Sequence, residues 1–125
     1  MASRIPILVI DDDPEFQELI KYSLEVGGYK VYQAKNGPKG IKLARKKKLS
    51  CILLDTTMPE MDGLQVLSEL KHSDKTKKIP VIMLTAKTMM GDVETAFDAG
   101  ADDYITKPVE FLDLAKKIKI KLEKF

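Results

Sequence analysis

One cysteine, one histidine, two arginines and no tryptophan stand in a chain of 125 residues. The single thiol, Cys51, cannot close an intramolecular disulfide, so the core alone must hold the fold, as expected of a protein kept in a reducing cytoplasm. No apolar run approaches the ~20 residues that cross a bilayer. Arg4 and Pro6 interrupt the start of the chain and Asp11 ends its first apolar run, so the N-terminus does not read as a signal segment. Charge of one sign is also missing. Lys plus Arg total 21 against 19 Asp plus Glu, a formal charge of +2, which supplies no global field for nucleic acid or a membrane surface. The basic residues are nearly all lysine, whereas phosphate and nucleic-acid sites favour the planar arginine fork. Aromatics at 6% offer no stacking platform for bases. The expectation is a chain with neither nucleic acid nor membrane as a partner. Cys51 reads as a small core residue, His72 as an exposed residue at a helix end, and Arg45–Lys48 as the cationic end of a helix.

What remains is an ordinary globular composition, 44% apolar and 32% charged, in a length that fits one domain. Two periodicities alternate along it. Short runs rich in β-branched and aliphatic residues lie at 5–10, 29–33, 51–54, 80–84 and 104–106. Amphipathic helical patterns lie between and after them. The first opens at Asp13-Pro14, a cap followed by proline at the first helical position, carries Phe16, Leu19, Ile20, Ser23 and Leu24, and stops at Gly27-Gly28. The second opens at Pro38 with Ile41 and Ala44. The third opens at Asp62-Gly63 with Leu64, Leu67 and Leu70. The fourth passes through Val93, Ala96 and Phe97 to Gly100. The fifth places Phe111, Leu114, Ala115, Ile118 and Leu122 on one stripe. Strands apolar on both faces, alternating with amphipathic helices, predict a doubly wound α/β domain with a five-stranded parallel sheet and five helices. Such sheets bind ligands beyond the carboxyl ends of their strands.

Those ends carry a consistent chemistry. Asp11, Asp12 and Asp13 follow the first strand, Asp55 the third, Thr85 the fourth and Lys107 the fifth. Carboxylates gathered at one edge repel one another, which protonation or a cation relieves. A hard divalent ion, Mg²⁺ above all, takes oxygen ligands and can bridge them to a phosphoryl oxygen. A lysine adds a second positive charge and a threonine hydroxyl a hydrogen bond. Asp13 doubles as the helix cap.

The stretches ILVIDDDP, ILLDTTMPEMDG, PVIMLTAK and GADDYITKP, in that order, make the chain resemble a response-regulator receiver domain of two-component signalling. The likeness covers essentially all of residues 1–125, read as a single receiver domain with no room inside it for an output domain. It implies a flavodoxin-like sheet of strand order 2-1-3-4-5. It implies Asp55 as phosphoacceptor for a histidine kinase or phosphotransfer protein, with Mg²⁺ (or Mn²⁺) held by Asp11, Asp12, Asp55 and the backbone carbonyl of Thr57. Lys107 pairs with Asp55 or the phosphoryl oxygens, the bond before Pro108 is cis, and Gly63 is the family's glycine after the acceptor loop. Thr85 and Tyr104 form the switch pair that remodels the face of the fourth helix, fifth strand and fifth helix for a downstream protein. Thr57 and Lys87 tune the lifetime of the phosphoryl group. The domain signals and is not an enzyme for a diffusing substrate. The chief rival is a haloacid-dehalogenase-type phosphohydrolase, using Asp11, Asp13 and the pair Asp102-Asp103, but its acids should follow the lysine rather than precede it. A flavodoxin would place no aspartates in its phosphate loop, and an EF-hand lacks its glycine and closing glutamate here. A receiver-like module that is never phosphorylated would not need the intact set of acids, threonine and lysine.

Overall fold

Strand and helix alternate throughout the computed structural model, which describes residues 4–58, 61–86 and 92–125, excluding the side chains of 92 and 93. The elements are β1 (Ile5–Ile10), α1 (Pro14–Val26), β2 (Tyr29–Ala34), α2 (Gly37–Lys46), β3 (Cys51–Asp55), α3 (Gly63–Lys71), β4 (Val81–Ala86), α4 (Asp92–Asp98), β5 (Asp103–Lys107) and α5 (Phe111–Leu122). All neighbouring strands pair in parallel, in the order β2-β1-β3-β4-β5. The doubly wound sheet is therefore as the alternating pattern predicts.

Period-two alternation divides the strands between two cores. Ile7, Val9, Leu53, Ile82, Leu84 and Ile105 face α1 and α5, meeting Ile20, Leu24, Leu114 and Ile118. Leu8, Ile10, Ile52, Leu54 and Met83 face the other way, onto Ile41 and Ala44 of α2, Val66, Leu67 and Leu70 of α3, and Ala96 of α4. Cys51 is fully buried, and burial pushes its thiol far above the ordinary range, so it packs as a small apolar residue. Two apolar residues expected in the core stand outside it. Leu19 is 47% exposed and Phe97 43%. In α1 the buried line runs through Gln17, Ile20 and Leu24, and Leu19 lies a helical step to its side.

Strand ends differ from the pattern in a way that matters for chemistry. The fourth and fifth apolar runs suggest strands ending at 84 and 106, but ladder pairing extends through Thr85↔Thr106 and Ala86↔Lys107. Asp55 pairs with Leu84 as the last residue of β3. Asp55, Thr85 and Lys107 are thus held by sheet hydrogen bonding rather than by loops. Polar side chains are tolerated there because the strands end at an open edge.

Caps fix the helices beside that edge. Asp13 accepts from the N–H groups of Glu15 (3.0 Å) and Phe16 (3.4 Å), with Pro14 at the first position of α1. Asp62 and Gln65 form a reciprocal capping box on α3, at 2.9 and 3.1 Å. The box sets Gly63 against the chain leaving β3. Its N–H donates to the Thr56 carbonyl at 3.1 Å. A Cβ there would run into the Asp55 carbonyl oxygen and lie 2.7 Å from Thr56 Cα, so no residue but glycine fits without moving that backbone. The Lys107–Pro108 peptide is cis.

Candidate functional site

Asp11 follows β1 and is anchored on every side. Its N–H donates to the Ala34 carbonyl of β2 (3.1 Å), and its own carbonyl accepts from Gln17 Nε2 (3.0 Å). Gln17 also donates to the carbonyls of Val9 and Ala34, while Gln33 Nε2 donates to Gln17 Oε1 at 2.8 Å. This buried amide ties α1, β1 and β2 together directly beneath the acids. Sequence reasoning missed it, although a glutamine on the buried line of an amphipathic helix was the available signal. The Asp11 side chain is fully buried, its Oδ1 accepting from the Asp13 N–H (2.9 Å) and its Oδ2 from Lys107 Nζ (2.7 Å).

Asp55, on the neighbouring strand, has a side chain 10% exposed; its Oδ1 accepts from the Thr57 N–H at 3.4 Å and lies 3.5 Å from Lys107 Nζ. Asp12 is exposed. One carboxylate oxygen from each of Asp11, Asp12 and Asp55 lies within 4.8 Å of the others. Asp13 does not join them, because its carboxylate is spent on the α1 cap. Lys107 meets Asp55 at 3.5 Å, while its shorter bond, 2.7 Å, goes to Asp11. The physical reason is burial: the more deeply enclosed carboxylate has no water to replace the ammonium. Lys107 also sits over the Phe16 ring, 4.3 Å from its centroid.

Charge is not balanced in this cluster. Burial, and then the charge of Asp11, push the Asp55 carboxyl up to about 6, against the opposing pull of Lys107 and the Thr57 N–H. Burial draws the Lys107 ammonium down, but its hydrogen bond to Asp11 and the charges of Asp55 and Asp11 outweigh that and raise it, so the lysine stays charged. Among the described residues, the three carboxylates gather beside the Lys107 ammonium, which pairs with Asp11 and Asp55. An all-oxygen donor set with surplus negative charge, exposed on the Asp12 side, fits a hard divalent cation that keeps part of its water. A thiolate or imidazole metal finds no ligand there.

Thr85 is buried, and among the described residues its hydroxyl makes a long 3.4 Å contact with the Ala86 carbonyl. Tyr104, half-buried on β5, lines a small apolar recess with Thr85, Thr56 and Ala96, and its ring meets Phe97 edge-on at 6.2 Å. The two expected switch residues therefore share one cavity. Thr57 is exposed next to Asp55. Lys87 lies outside the described residues, as do Met89 and Met90.

The acid pair Asp102-Asp103 of the hydrolase reading is engaged elsewhere. Asp102 Oδ2 accepts from Lys71 Nζ (3.0 Å) and from the N–H of Val81, at the start of β4 and the far end of the sheet. Asp103 pairs with Lys121 at 2.9 Å. The sequence profile of the response regulator receiver domain matches residues 7–119. The chain belongs to the response-regulator receiver family. It is 41% identical over 118 residues to the DNA-binding dual master transcriptional regulator RpaA of Synechocystis, covering 94% of this chain and 49% of that one. It is 38% identical over 118 residues to the transcriptional regulatory protein SrrA of Staphylococcus aureus, covering 94% and 48%. The chain spans about half the length of these relatives. Among solved structures, chemotaxis protein CheY4 of Vibrio cholerae superposes with a TM-score of 0.87 at 25% identity, covering 94% of this chain and 98% of that one. The receiver domain of sensor histidine kinase PA1611 from Pseudomonas aeruginosa, solved with magnesium in its active-site cleft, does so at 0.86 and 28%, covering 96% and 98%. The receiver domain described here is thus a signalling domain of two-component systems. No helix among its described residues is long and apolar enough to cross a membrane.

Proposed function

We propose that this receiver works as a phosphorylation switch with Asp55 as its acceptor. The observation that carries the reading is the placement of Asp55. It ends a strand, meets two further carboxylates, and is close to an ammonium without being neutralised by it. An Asp55 carboxylate oxygen attacks the phosphorus of a phosphohistidine or acyl phosphate. The bond from phosphorus to the donor's nitrogen or oxygen breaks, its electron pair leaves with the donor, and an aspartyl phosphate remains. Asp11, Asp12, Asp55 and the Thr57 carbonyl would hold Mg²⁺, with Mn²⁺ an acceptable substitute; when bound, the ion offsets the charge of carboxylate and phosphoryl oxygens. Lys107 Nζ donates to those oxygens. The Thr85 hydroxyl, in long contact with the Ala86 carbonyl, turns toward them, and Tyr104 fills the recess it vacates, reshaping the α4–β5–α5 face for a downstream protein. Thr57 and Lys87 flank the path of the water that ends the signal.

The donor is a histidine kinase or phosphotransfer protein, residues 1–125 act as one cytoplasmic domain, and the domain itself neither binds nucleic acid nor turns over a diffusing substrate. Near-neutral charge and the scarcity of aromatics support the former point. Intact-protein mass after incubation with an acyl phosphate and Mg²⁺ tests the whole. A single phosphoryl adduct is expected, lost in Asp55→Asn and under chelation. A folded wild type without an adduct, even with a cognate kinase, would leave only a silent binding module.

A further inference from the structure

The Lys107 ammonium has three N–H donors. One makes the 2.7 Å bond to Asp11, and another lies at a loose 3.5 Å from Asp55. On a third side is the Phe16 ring, 4.3 Å away at its centroid. Among the described residues two other lysines, Lys30 and Lys47, stand over an aromatic ring, that of Tyr32, but at 5.3 and 5.2 Å. Phe16 is itself fixed. Its N–H meets the Asp13 cap in the first turn of α1, and its ring packs on Phe111 at 5.7 Å. The ring therefore has little freedom to leave the lysine.

An aromatic face attracts a cation without neutralising it. A third carboxylate in that position would compete with the phosphoryl oxygens for the ammonium. An aliphatic side chain would leave the 26% exposed lysine held by its carboxylate partners alone, with more rotamer freedom on that side. The ring does neither. We propose that Phe16 is a positioning residue for Lys107, its face being the seat that keeps the ammonium between Asp11 and Asp55 and aimed at the incoming phosphoryl oxygens. This rests on the reading of Asp55 as the acceptor and Lys107 as the counter-charge.

The test follows phosphorylation of the full chain by an acyl phosphate with Mg²⁺, using time-resolved intact mass. Phe16→Leu, apolar but without a π face, reacts about three- to tenfold more slowly than wild type. Phe16→Tyr and Phe16→Trp stay within about twofold of wild type. Placed on a Lys107→Met background, Phe16→Leu produces no further loss, since the seat acts only through the lysine. A second measurement needs neither metal nor phosphodonor: the Lys107 ε-methylene protons resonate upfield of the other lysines through the ring current, and return to the ordinary position in Phe16→Leu. A Phe16→Leu protein that reacts as fast as wild type, while Asp55→Asn remains unmodified, overturns the seat and leaves the site intact. An equal loss in Phe16→Tyr, or an undiminished loss on the Lys107→Met background, also overturns it, because packing would then be the cause. A wild type that takes no phosphoryl group removes the site reading and the role of Phe16 with it, while the ring-current shift still reports whether lysine and ring meet.

Discussion

Asp55→Asn should make the metal-free protein more stable at neutral pH, although it removes the group on which function depends. Burial and the charge of Asp11 raise the Asp55 carboxyl from 3.8 to about 6 in the folded state. A carboxyl raised on folding favours the protonated form. Its stabilising contribution is fully present below 3.8 and is lost as pH rises through about 6. Above that window the folded state holds a carboxylate that the unfolded chain would accommodate more easily. At ~1.4 kcal/mol per pH unit the shift corresponds to about 3 kcal/mol, and water reaching the open edge of the cluster lowers this to about 1–3 kcal/mol. Asparagine keeps the shape without the charge. Urea unfolding of wild type and Asp55→Asn in a metal chelator, from pH 4 to pH 8, reads the difference, because titrating groups that do not contact Asp55 cancel in it. The variant should exceed wild type by that margin at pH 7.5, and the two curves should converge near pH 4. Saturating Mg²⁺ should close the gap from the wild-type side, since only the intact carboxylate cluster binds it well. A variant no more stable than wild type at pH 7.5, or a gap that persists unchanged to pH 4, would refute the claim that uncompensated charge at Asp55 strains the unliganded fold.

Three further outcomes follow from particular contacts. Gly63→Ala places a methyl group against the Asp55 carbonyl and Thr56 Cα, so a loss of about 2 kcal/mol or more in urea unfolding is expected, with slower adduct formation because the acceptor strand shifts. Lys71→Met removes the partner of Asp102 at the far end of the sheet; denaturation should show a loss of about 1–2 kcal/mol, while the rate of phosphorylation stays at the wild-type value. Asp12→Asn, at an exposed position, should weaken Mg²⁺ binding about tenfold or more by titration calorimetry while leaving metal-free stability within about 0.5 kcal/mol of wild type.

Much of this molecule is legible from its residues in order, for a definite reason. Whether a segment is a strand or a helix depends mainly on the spacing of its own apolar residues, and runs such as Cys51–Leu54 or the stripe from Phe111 to Leu122 carry that spacing locally. A parallel sheet then brings the carboxyl ends of its strands to one edge, which groups Asp11, Asp55, Thr85 and Lys107 from the pattern alone. Local signals were weaker where competition among neighbours decides. Leu19 fits a helical apolar pattern as well as Ile20 does, and only the seating of α1 on the sheet leaves it in solvent. Strand ends depend on neighbours in the same way. Ladder pairing with a neighbour carries β4 to Ala86 and β5 to Lys107, past the point where their apolar runs stop.

Sequence alone therefore determined the alternating architecture, the family, and the residue types available to the site. Tertiary structure decided which partners those residues take. Lys107 lies 96 positions from Asp11 in the chain, yet its shortest bond is to that carboxylate rather than to Asp55. Gln17 turned from a polar residue on a helix into the amide beneath the acids. Phe16 turned from a core residue into the ring under an ammonium, and Asp102 left the acid inventory for a lysine at the opposite end of the sheet. The division follows from the range of the forces. Periodicity and capping act over a few residues, whereas the pairing of a buried charge depends on how fully each candidate partner is stripped of water, and that is settled only when distant segments pack.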